Sequence, residues 1–224
     1  KQDGNVGALN YKTGERLWYK KYGNLRSIDW PRVRGFLCTY DEDLNSFIIL
    51  MPTAVGVFCI NLNDGSLIKS RCKNGKLGEY ESRVSPKFLN NTVYVATTNP
   101  AGIQAYNFLN GKLIWHFDLG NSKPWNNFTV DEEKKLIFVN IGSPNKWPVI
   151  NNSRKYKYSG SLLALNSENG KLVWQFQEHS KDTWNHDFVG QPILSPTKIN
   201  GKDVIITFSK SGNIYFLNKN DGSP

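Results

Sequence analysis

One pattern recurs along the chain and constrains its fold more than any other feature. An apolar stretch ends in Asn, three residues follow, then Gly, and a second short apolar stretch comes after the Gly. We call these the corner glycines; they recur every 46 to 59 residues, at Gly14, Gly65, Gly111, Gly170 and Gly222. Because the Asn side chain can hydrogen-bond to its own turn and Gly tolerates a positive φ, each copy predicts a β-hairpin corner.

The segments around these corners also have strand character. Trp ends the second apolar stretch in three copies, at Trp18, Trp115 and Trp174, whereas Lys69 holds that place in the second copy. Between the corners, further strands are predicted at 46–53, 92–98, 135–142 and 203–210. No segment combines helical periodicity with helix caps. A period of about 50 residues with several strands in each repeat is typical of a β-propeller.

The sequence therefore predicts an all-β fold, a β-propeller of four-stranded antiparallel blades in a single domain over residues 1–224. The repeats end near 18, 69, 115 and 174, and another begins at 203–224. The three tryptophans are expected to be apolar plugs between neighbouring blades, which makes the second blade degenerate. Propellers typically close with about 4–8 blades. About four and a half repeats are present and the sequence begins and ends within a repeat, so we expect part of a larger propeller.

Partner classes follow from this incompleteness and from charge. Uncovered blade faces and strand edges favour self-association, so a homo-oligomer is expected. The net charge is +9, but the lysines are scattered among asparagines with no cationic run. This pattern indicates a solvated surface and no nucleic-acid partner. No stretch approaches the length of about 18 apolar residues that a transmembrane helix needs.

The three cysteines form no CxxC pair and predict no disulfide framework. Cys38 and Cys59 lie in apolar runs and are predicted to be buried small hydrophobic residues rather than ligands. Motifs of other enzyme classes, such as GxSxG, HExxH, GxGxxG and the P-loop, are absent from the sequence.

The repeats resemble the tryptophan-docking motif of the pyrroloquinoline quinone (PQQ) dehydrogenases, the quinoprotein alcohol and sugar dehydrogenases. The resemblance covers nearly the whole chain and corresponds to about the first half of the family's eight-bladed catalytic propeller. It implies PQQ as cofactor and oxidation of an alcohol or sugar hydroxyl. It also implies a quinone or cytochrome as electron acceptor and a periplasmic or otherwise exported location.

Three segments carry cofactor positions of this family. The segment "RVRGFLCTY" is similar to an Arg-Gly segment, which implies that Arg34 binds a PQQ carboxylate with its planar guanidinium. The family's vicinal cysteine pair is replaced by Ile28 and Asp29, which favours the glucose and quinate dehydrogenase branch. In "KPWNNF", Trp125 falls where the family stacks an indole on the quinone. In "FSKSGNIYFLN", Lys210 matches a lysine that polarises the quinone oxygens.

The stretch "EHSKDTWNHDFVGQPIL" resembles the family's HDxWDxD signature. Asp182, Trp184 and Asp187 fit this signature, but Asn185 holds the place of the catalytic base. An amide has no useful basicity. Asp187 is a possible substitute, since it would share a face with Asn185 if the segment were extended.

The metal positions implied by the family are also altered. Ser143 replaces an Asn that ligates calcium. No acidic residue lies near the place of the family's calcium-binding Glu, where Asn99 is the only plausible side-chain oxygen ligand. Asn185 would complete the set. A serine hydroxyl is shorter and a poorer calcium donor than an amide or carboxylate oxygen, which weakens the expectation of a calcium ion.

Two alternatives stay open at this point. By residue type, His179, Asp182, His186 and Asp187 could form a metal cluster, although their spacing fits no strong ligand motif. The other alternative is a non-catalytic propeller that serves as a binding or assembly scaffold. The altered base and metal positions favour the scaffold, whereas the retained Trp125 and Lys210 favour a dehydrogenase.

Overall fold

The computed structural model describes residues 5–22, 33–142, 157–179 and 184–224. These residues form five antiparallel sheets that follow one another along the chain. The first sheet pairs β1 (Asn5–Leu9) with β2 (Arg16–Lys21). The second has the order β3 (Leu37–Asp41), β4 (Ser46–Thr53), β5 (Gly56–Asn61) and β6 (Lys76–Leu77).

The remaining three sheets repeat this meander. The third contains β7 (Lys87–Leu89), β8 (Thr92–Thr98), β9 (Ala101–Asn107) and β10 (Leu113–Gly120). The fourth contains β11 (Thr129–Asp131), β12 (Leu136–Ile141), β13 (Ser161–Asn166) and β14 (Leu172–Gln177). The fifth contains β15 (Phe188–Leu194), β16 (Val204–Ser209) and β17 (Ile214–Asn218). The strands predicted between the corners are therefore confirmed as β4, β8, β12 and β16.

The chain divides into two compact units. The first comprises Lys1–Val95 and Ala105–Ile114, and the second comprises Ala96–Gln104 and Trp115–Pro224, so the division passes through the third sheet. Among the described residues, no helix is long and apolar enough to cross a membrane.

The core of the first unit shows why β4 is apolar throughout. Ile48 and Leu50 pack into one buried cluster, whereas Ile49 and Met51, on the opposite face, pack into another. A strand that is buried on both faces needs an unbroken apolar run rather than alternation. In the second unit, one cluster joins the fourth and fifth sheets through Phe138, Trp174 and Phe188 and their apolar neighbours.

The five corners have nearly identical backbone geometry. Each corner glycine has φ between 69° and 72°. Its N–H donates to the carbonyl of the corner asparagine at 2.8 to 2.9 Å. At Asn10, Asn61 and Asn166 the side-chain Oδ1 accepts the N–H two residues on, at 2.8 to 2.9 Å. The expected roles of Asn and Gly in these turns are thus confirmed.

Three corners are covered by an indole ring from the preceding repeat. A Cβ built on Gly65, Gly170 or Gly222 would lie only 2.5 to 2.6 Å from a ring carbon of Trp18, Trp115 or Trp174, respectively. Each indole N–H donates to the carbonyl of the residue after the corner asparagine, at 2.8 to 3.0 Å. Only glycine lets the ring approach this closely.

The corner at Gly111 is covered by backbone and not by an indole ring. A four-residue turn assigned as α1 (Cys72–Gly75) lies there, and its residues Cys72, Lys73 and Asn74 have φ of 54°, 47° and 61°. A Cβ on Gly111 would lie 2.6 Å from the Lys73 Cβ. The Cys72 N–H donates to the Phe108 carbonyl at 2.8 Å. The backbone of this left-handed turn therefore packs against the glycine and donates an N–H to the corner, as an indole does at the three indole-covered corners.

The prediction that the cysteines form no disulfide is wrong. Cys59 and Cys72, both fully buried, form a disulfide with a Cα–Cα distance of 6.4 Å. Their approach depends on the left-handed turn, which follows the place where Lys69 replaces a tryptophan. The prediction that Cys38 is buried is also wrong, because it is a free and exposed cysteine on β3.

Candidate functional site

Three of the predicted site residues meet around a buried carboxylate. Asp187 is 2% exposed and immediately precedes β15. The Trp125 indole Nε1 donates to its Oδ2 at 2.9 Å, and the Lys210 ammonium forms an ion pair with its Oδ1. The Lys210 Nζ also lies 5.0 Å from the centroid of the Trp125 ring. We call this arrangement the Trp125–Asp187–Lys210 cluster.

The sheet positions two members of the cluster. Strands β15 and β16 pair with Phe188 opposite Ser209, which places Asp187 beside Lys210. The Lys210 N–H donates to the Asp187 carbonyl at 3.1 Å, so backbone and side chains both join the two residues. Trp125 lies in the loop before β11, where its neighbour Asn126 donates to the Phe188 carbonyl at 3.0 Å.

Gly142 packs directly against Trp125 and Asp187 of the cluster. A Cβ there would lie 2.4 Å from Trp125 Cδ1 and 2.8 Å from Asp187 Oδ2. The Gly142 N–H donates to the Lys123 carbonyl at 2.9 Å, which brings the Trp125 loop against the end of β12. A side chain at this position would displace the indole, so glycine is required here for close approach.

Asn140 supports the site and was not predicted from the sequence. It is fully buried on β12. Its Nδ2 donates to the Gly190 carbonyl at 3.1 Å, and its Oδ1 accepts the Thr207 hydroxyl at 3.0 Å. A buried amide needs such partners because burial without them is costly. The available signal was a single amide inside the apolar run "LIFVNI".

The cluster offers a cation and a flat apolar surface held by a carboxylate. The Lys210 side chain is 32% exposed and the Trp125 ring is half-buried, so both can contact a ligand. Both Asp187 oxygens are engaged, one by the ion pair and one by the indole. The geometry of this carboxylate fits an orienting role for the Lys210 and Trp125 side chains.

Asn185 lies two residues before the buried Asp187. It is half-buried and has φ of 61°, so the backbone is not extended there. The condition under which Asn185 and Asp187 would share one face is therefore not met. Trp184, in the same signature, is 72% exposed. Asp182 and Ser143 lie outside the described residues.

Two further residues predicted from the sequence, Asn99 and Arg34, are not members of the Trp125–Asp187–Lys210 cluster. Asn99 is exposed in the turn between β8 and β9. Arg34 is an exposed residue of the first unit, where its backbone N–H donates to the Arg83 carbonyl at 2.7 Å. Across the described part of the chain, no group of three or more His, Cys, Asp or Glu side chains could hold a metal ion.

The sequence model of one protein family matches residues 1–224 of the chain; its description is "PQQ: Glucose/ethanol/alcohol dehydrogenase, beta-propeller domain". The chain belongs to this family. The expected fold class is thereby confirmed, since the antiparallel four-stranded sheets are blades of a PQQ-type β-propeller.

The chain is also similar to individual proteins of known type. The quinoprotein glucose dehydrogenase of Escherichia coli is 27% identical, over 72% of this chain and 27% of that protein. The quinate/shikimate dehydrogenase (quinone) of Acinetobacter baylyi is 25% identical, over 98% of this chain and 35% of that protein. The crystal structure of quinohemoprotein alcohol dehydrogenase from Comamonas testosteroni has a TM-score of 0.77 and 20% identity, covering 97% of this chain and 39% of that one. The chain thus spans well under half the length of these relatives.

Proposed function

We propose that this PQQ propeller chain provides the Trp125–Asp187–Lys210 part of a PQQ site, in a dehydrogenase that oxidises an alcohol or sugar hydroxyl. The observation that carries the proposal is the Lys210 ammonium, which lies over the Trp125 ring and is held by Asp187. Membership of the family and the net charge of +9, which suits an anionic cofactor, support it.

The residues of the cluster fit PQQ, a flat quinone that carries carboxylates. Trp125 would provide the stacking surface, because an indole is broad and rigid. Lys210 would donate to a quinone or carboxylate oxygen, and a partly desolvated ammonium interacts strongly with such oxygens. Gly142 keeps the indole close to β12, where a Cβ would be 2.4 Å from the ring. Arg34 remains a proposed carboxylate ligand.

In this proposal the carboxylate and the cation have separate tasks. When bound, PQQ supplies the acceptor for the hydride equivalent of the substrate. Asp187 orients Lys210 and Trp125, and Lys210 stabilises negative charge that develops on the oxygens it contacts. Asn185 cannot accept the substrate proton, because an amide is not basic. We therefore expect the chain to bind PQQ but to oxidise substrate slowly.

Calcium fits these residues poorly. Asn99 and Asn185 each offer one neutral amide oxygen, and Asn99 is exposed in a turn. A Ca²⁺ site in a protein takes about six to eight oxygen ligands, several of them carboxylates. We assign calcium no role in the reaction.

The disulfide supports an exported location. Buried disulfides such as Cys59–Cys72 persist in oxidising compartments and are rare in the cytosol. An exported dehydrogenase would pass its electrons to a quinone or a cytochrome, which we propose as acceptors. No nucleic acid is proposed as a partner.

Binding of PQQ tests the proposal directly. Titration of the chain with PQQ should quench tryptophan fluorescence in a saturable manner. Lys210→Ala should weaken binding about tenfold, which corresponds to losing one hydrogen bond to a charged group. Trp125→Phe, which shrinks the stacking surface, should also weaken binding. Lys134→Ala, which removes a lysine of the same unit outside the cluster, is the matched control for Lys210→Ala.

Turnover separates the two candidate functions. Dye reduction with alcohols and sugars should be low in the natural chain and higher in Asn185→Asp, alone or combined with Ser143→Asn. If the chain shows no saturable quenching by PQQ, the proposal is wrong, and the scaffold function is favoured instead.

A further inference from the structure

Outside the cluster, the carboxylate of Glu178 is also buried in the second unit. It directly follows β14, and its side chain is 3% exposed. Its N–H donates to the Gly160 carbonyl at 3.3 Å, which continues the pairing of the fourth sheet. A buried carboxylate is costly unless it is hydrogen-bonded, so its partners show what it does.

Among the described residues, the hydrogen-bond donors to Glu178 Oε1 come from the hairpin of β16 and β17, two from the strand ends and two from the turn between them. They are the hydroxyls of Ser209 at 2.9 Å, of Tyr215 at 2.8 Å and of Ser211, and the Asn213 amide at 3.0 Å. Burial raises the pKa of Glu178, but these hydrogen bonds outweigh burial and lower the pKa below its usual value. The carboxylate therefore stays charged at neutral pH and holds the turn.

Lys210 lies between two of these donors. Ser209 and Ser211, its two neighbours in sequence, both donate to the same carboxylate oxygen. The turn is closed by backbone bonds as well, since the Gly212 N–H donates to the Ser209 carbonyl at 3.1 Å. Glu178 thus fixes the backbone on both sides of the residue whose ammonium lies on Trp125.

We propose that Glu178 is a positioning residue for Lys210. It belongs to the fourth sheet, and by holding the turn of the fifth sheet it aims the Lys210 ammonium at Trp125 and Asp187. The consequence for PQQ rests on the proposed function. The placement of Lys210 itself does not, because the ion pair with Asp187 exists in the chain without any cofactor.

The fifth sheet has other supports, so removal of Glu178 should loosen the turn and leave the sheet folded. Tyr215 packs on Phe176 and Phe188 with ring centroids 4.9 and 5.7 Å apart. Strands β16 and β17 remain paired from Val204 with Asn218 to Phe208 with Ile214. These contacts do not pass through the Glu178 carboxylate.

The first test needs no cofactor. The rate at which an amine-acylating reagent modifies Lys210 is measured by peptide mass spectrometry in the natural chain and in Glu178→Ala. We expect Lys210 to react about tenfold faster in the variant, as expected when a hydrogen bond to a charged group is lost. Lys134, whose ion pair with Asp203 at 3.0 Å lies in the same unit, is the internal control and should not change.

Equal acceleration at Lys134 and Lys210 would mean that Glu178 only stabilises the unit, and it would overturn the proposal. No acceleration at Lys210 would overturn it as well. If Glu178→Ala does not fold, Ser211→Ala removes a single donor and should accelerate Lys210 by a smaller factor. Glu178→Gln, which keeps an acceptor oxygen, should restore most of the protection.

A double-mutant cycle with PQQ binding as the readout is the second test. Glu178→Ala should weaken binding several-fold in the natural background and have no effect in Lys210→Ala, because coupled residues are not additive. Full additivity would overturn the proposal. If the natural chain binds no PQQ, the proposed function fails, while the acylation test still decides the role of Glu178.

Discussion

The corner at Gly170 and the corner at Gly111 solve one packing problem in two ways. At Gly170 the Trp115 indole covers the glycine and donates its N–H to the Ser167 carbonyl at 3.0 Å. At Gly111 the backbone of a left-handed turn covers the glycine, and the Cys72 N–H donates to the carbonyl at the equivalent position, at 2.8 Å. Both corners therefore have a group packed closely against the glycine and one N–H that donates to the adjacent carbonyl. An indole is one of two groups that supply these contacts.

The two solutions differ in what keeps them in place. An indole is held by the apolar area that it buries. A left-handed turn of non-glycine residues is unfavourable by roughly 1–2 kcal/mol per residue. Cys72, Lys73 and Asn74 all adopt this conformation, and the bond from Cys72 to Cys59 constrains the turn covalently. The second repeat thus replaces hydrophobic burial by a cross-link.

The largest expected effect comes from removing an indole. Trp174→Ala should lower the free energy of unfolding by about 3–5 kcal/mol, the usual cost of truncating a large buried side chain. Denaturant unfolding measures the loss. Trp184→Ala, at an indole that is 72% exposed, is the control and should lose far less. Similar losses in both variants would contradict the claim that the indole packed on the corner glycine stabilises the fold.

The cross-link should be worth slightly less. Replacing both Cys59 and Cys72 by Ala should cost about 3 kcal/mol, the value typical of a short closed loop. A reductant should lower the thermal midpoint of the natural chain and leave that of the double variant unchanged. Cys38→Ala, at the exposed free cysteine, should keep the full response to reductant. An unaltered midpoint in the natural chain would show that the turn holds without the bond.

The glycines allow backbone strain to be separated from ring contact. Gly14 has φ of 72° and no atom within 4 Å of a built Cβ, so Gly14→Ala should cost about 1 kcal/mol through the backbone alone. Gly170→Ala should cost a further 1–3 kcal/mol or so through overpacking against Trp115. The difference between the two variants measures the contact, and equal losses would show that the ring yields freely.

A smaller effect should appear at high pH at the second corner, that of Gly65. The Tyr22 hydroxyl donates to the Gly65 carbonyl at 2.5 Å, and burial together with the Asp64 charge raises the pKa of Tyr22 to about 12. The unfolded chain loses this proton near pH 10 and the folded chain does not, so stability should fall between about pH 10 and 12.

Tyr22→Phe should lose about 1 kcal/mol at neutral pH and show a weaker fall above pH 10. Tyr106, whose pKa is also raised to about 12, is present in both proteins, so the difference between their pH profiles reports Tyr22. Parallel profiles would contradict the assignment.

The sequence was sufficient for the corners and for most strands because their signals are local. Asn10 and Gly14, for example, make a turn whose hydrogen bonds span only a few residues. The strand at 46–53 was predicted with its observed bounds, since its apolar run is unbroken. The resemblance to a family then supplied Trp125 and Lys210 as candidates.

The remaining features depend on contacts between distant residues. Trp125 and Asp187 are 62 positions apart, and nothing near either residue signals the hydrogen bond that joins them. The disulfide depends on a turn in which Cys72 and Lys73 have positive φ, a conformation that neither residue type favours. Glu178 resembles an ordinary charged residue at a strand end, and only the fold shows that it is buried.

The ring closed by Cys59 and Cys72 has one more consequence, for proteolysis. It encloses the second corner, where Asn63 and Asp64 are exposed. Exposed loop tips are preferred sites of nicking by proteases. A cut there would leave both pieces joined through sulfur, so the nicked chain would run as one band on a gel until a reducing agent separates it into two.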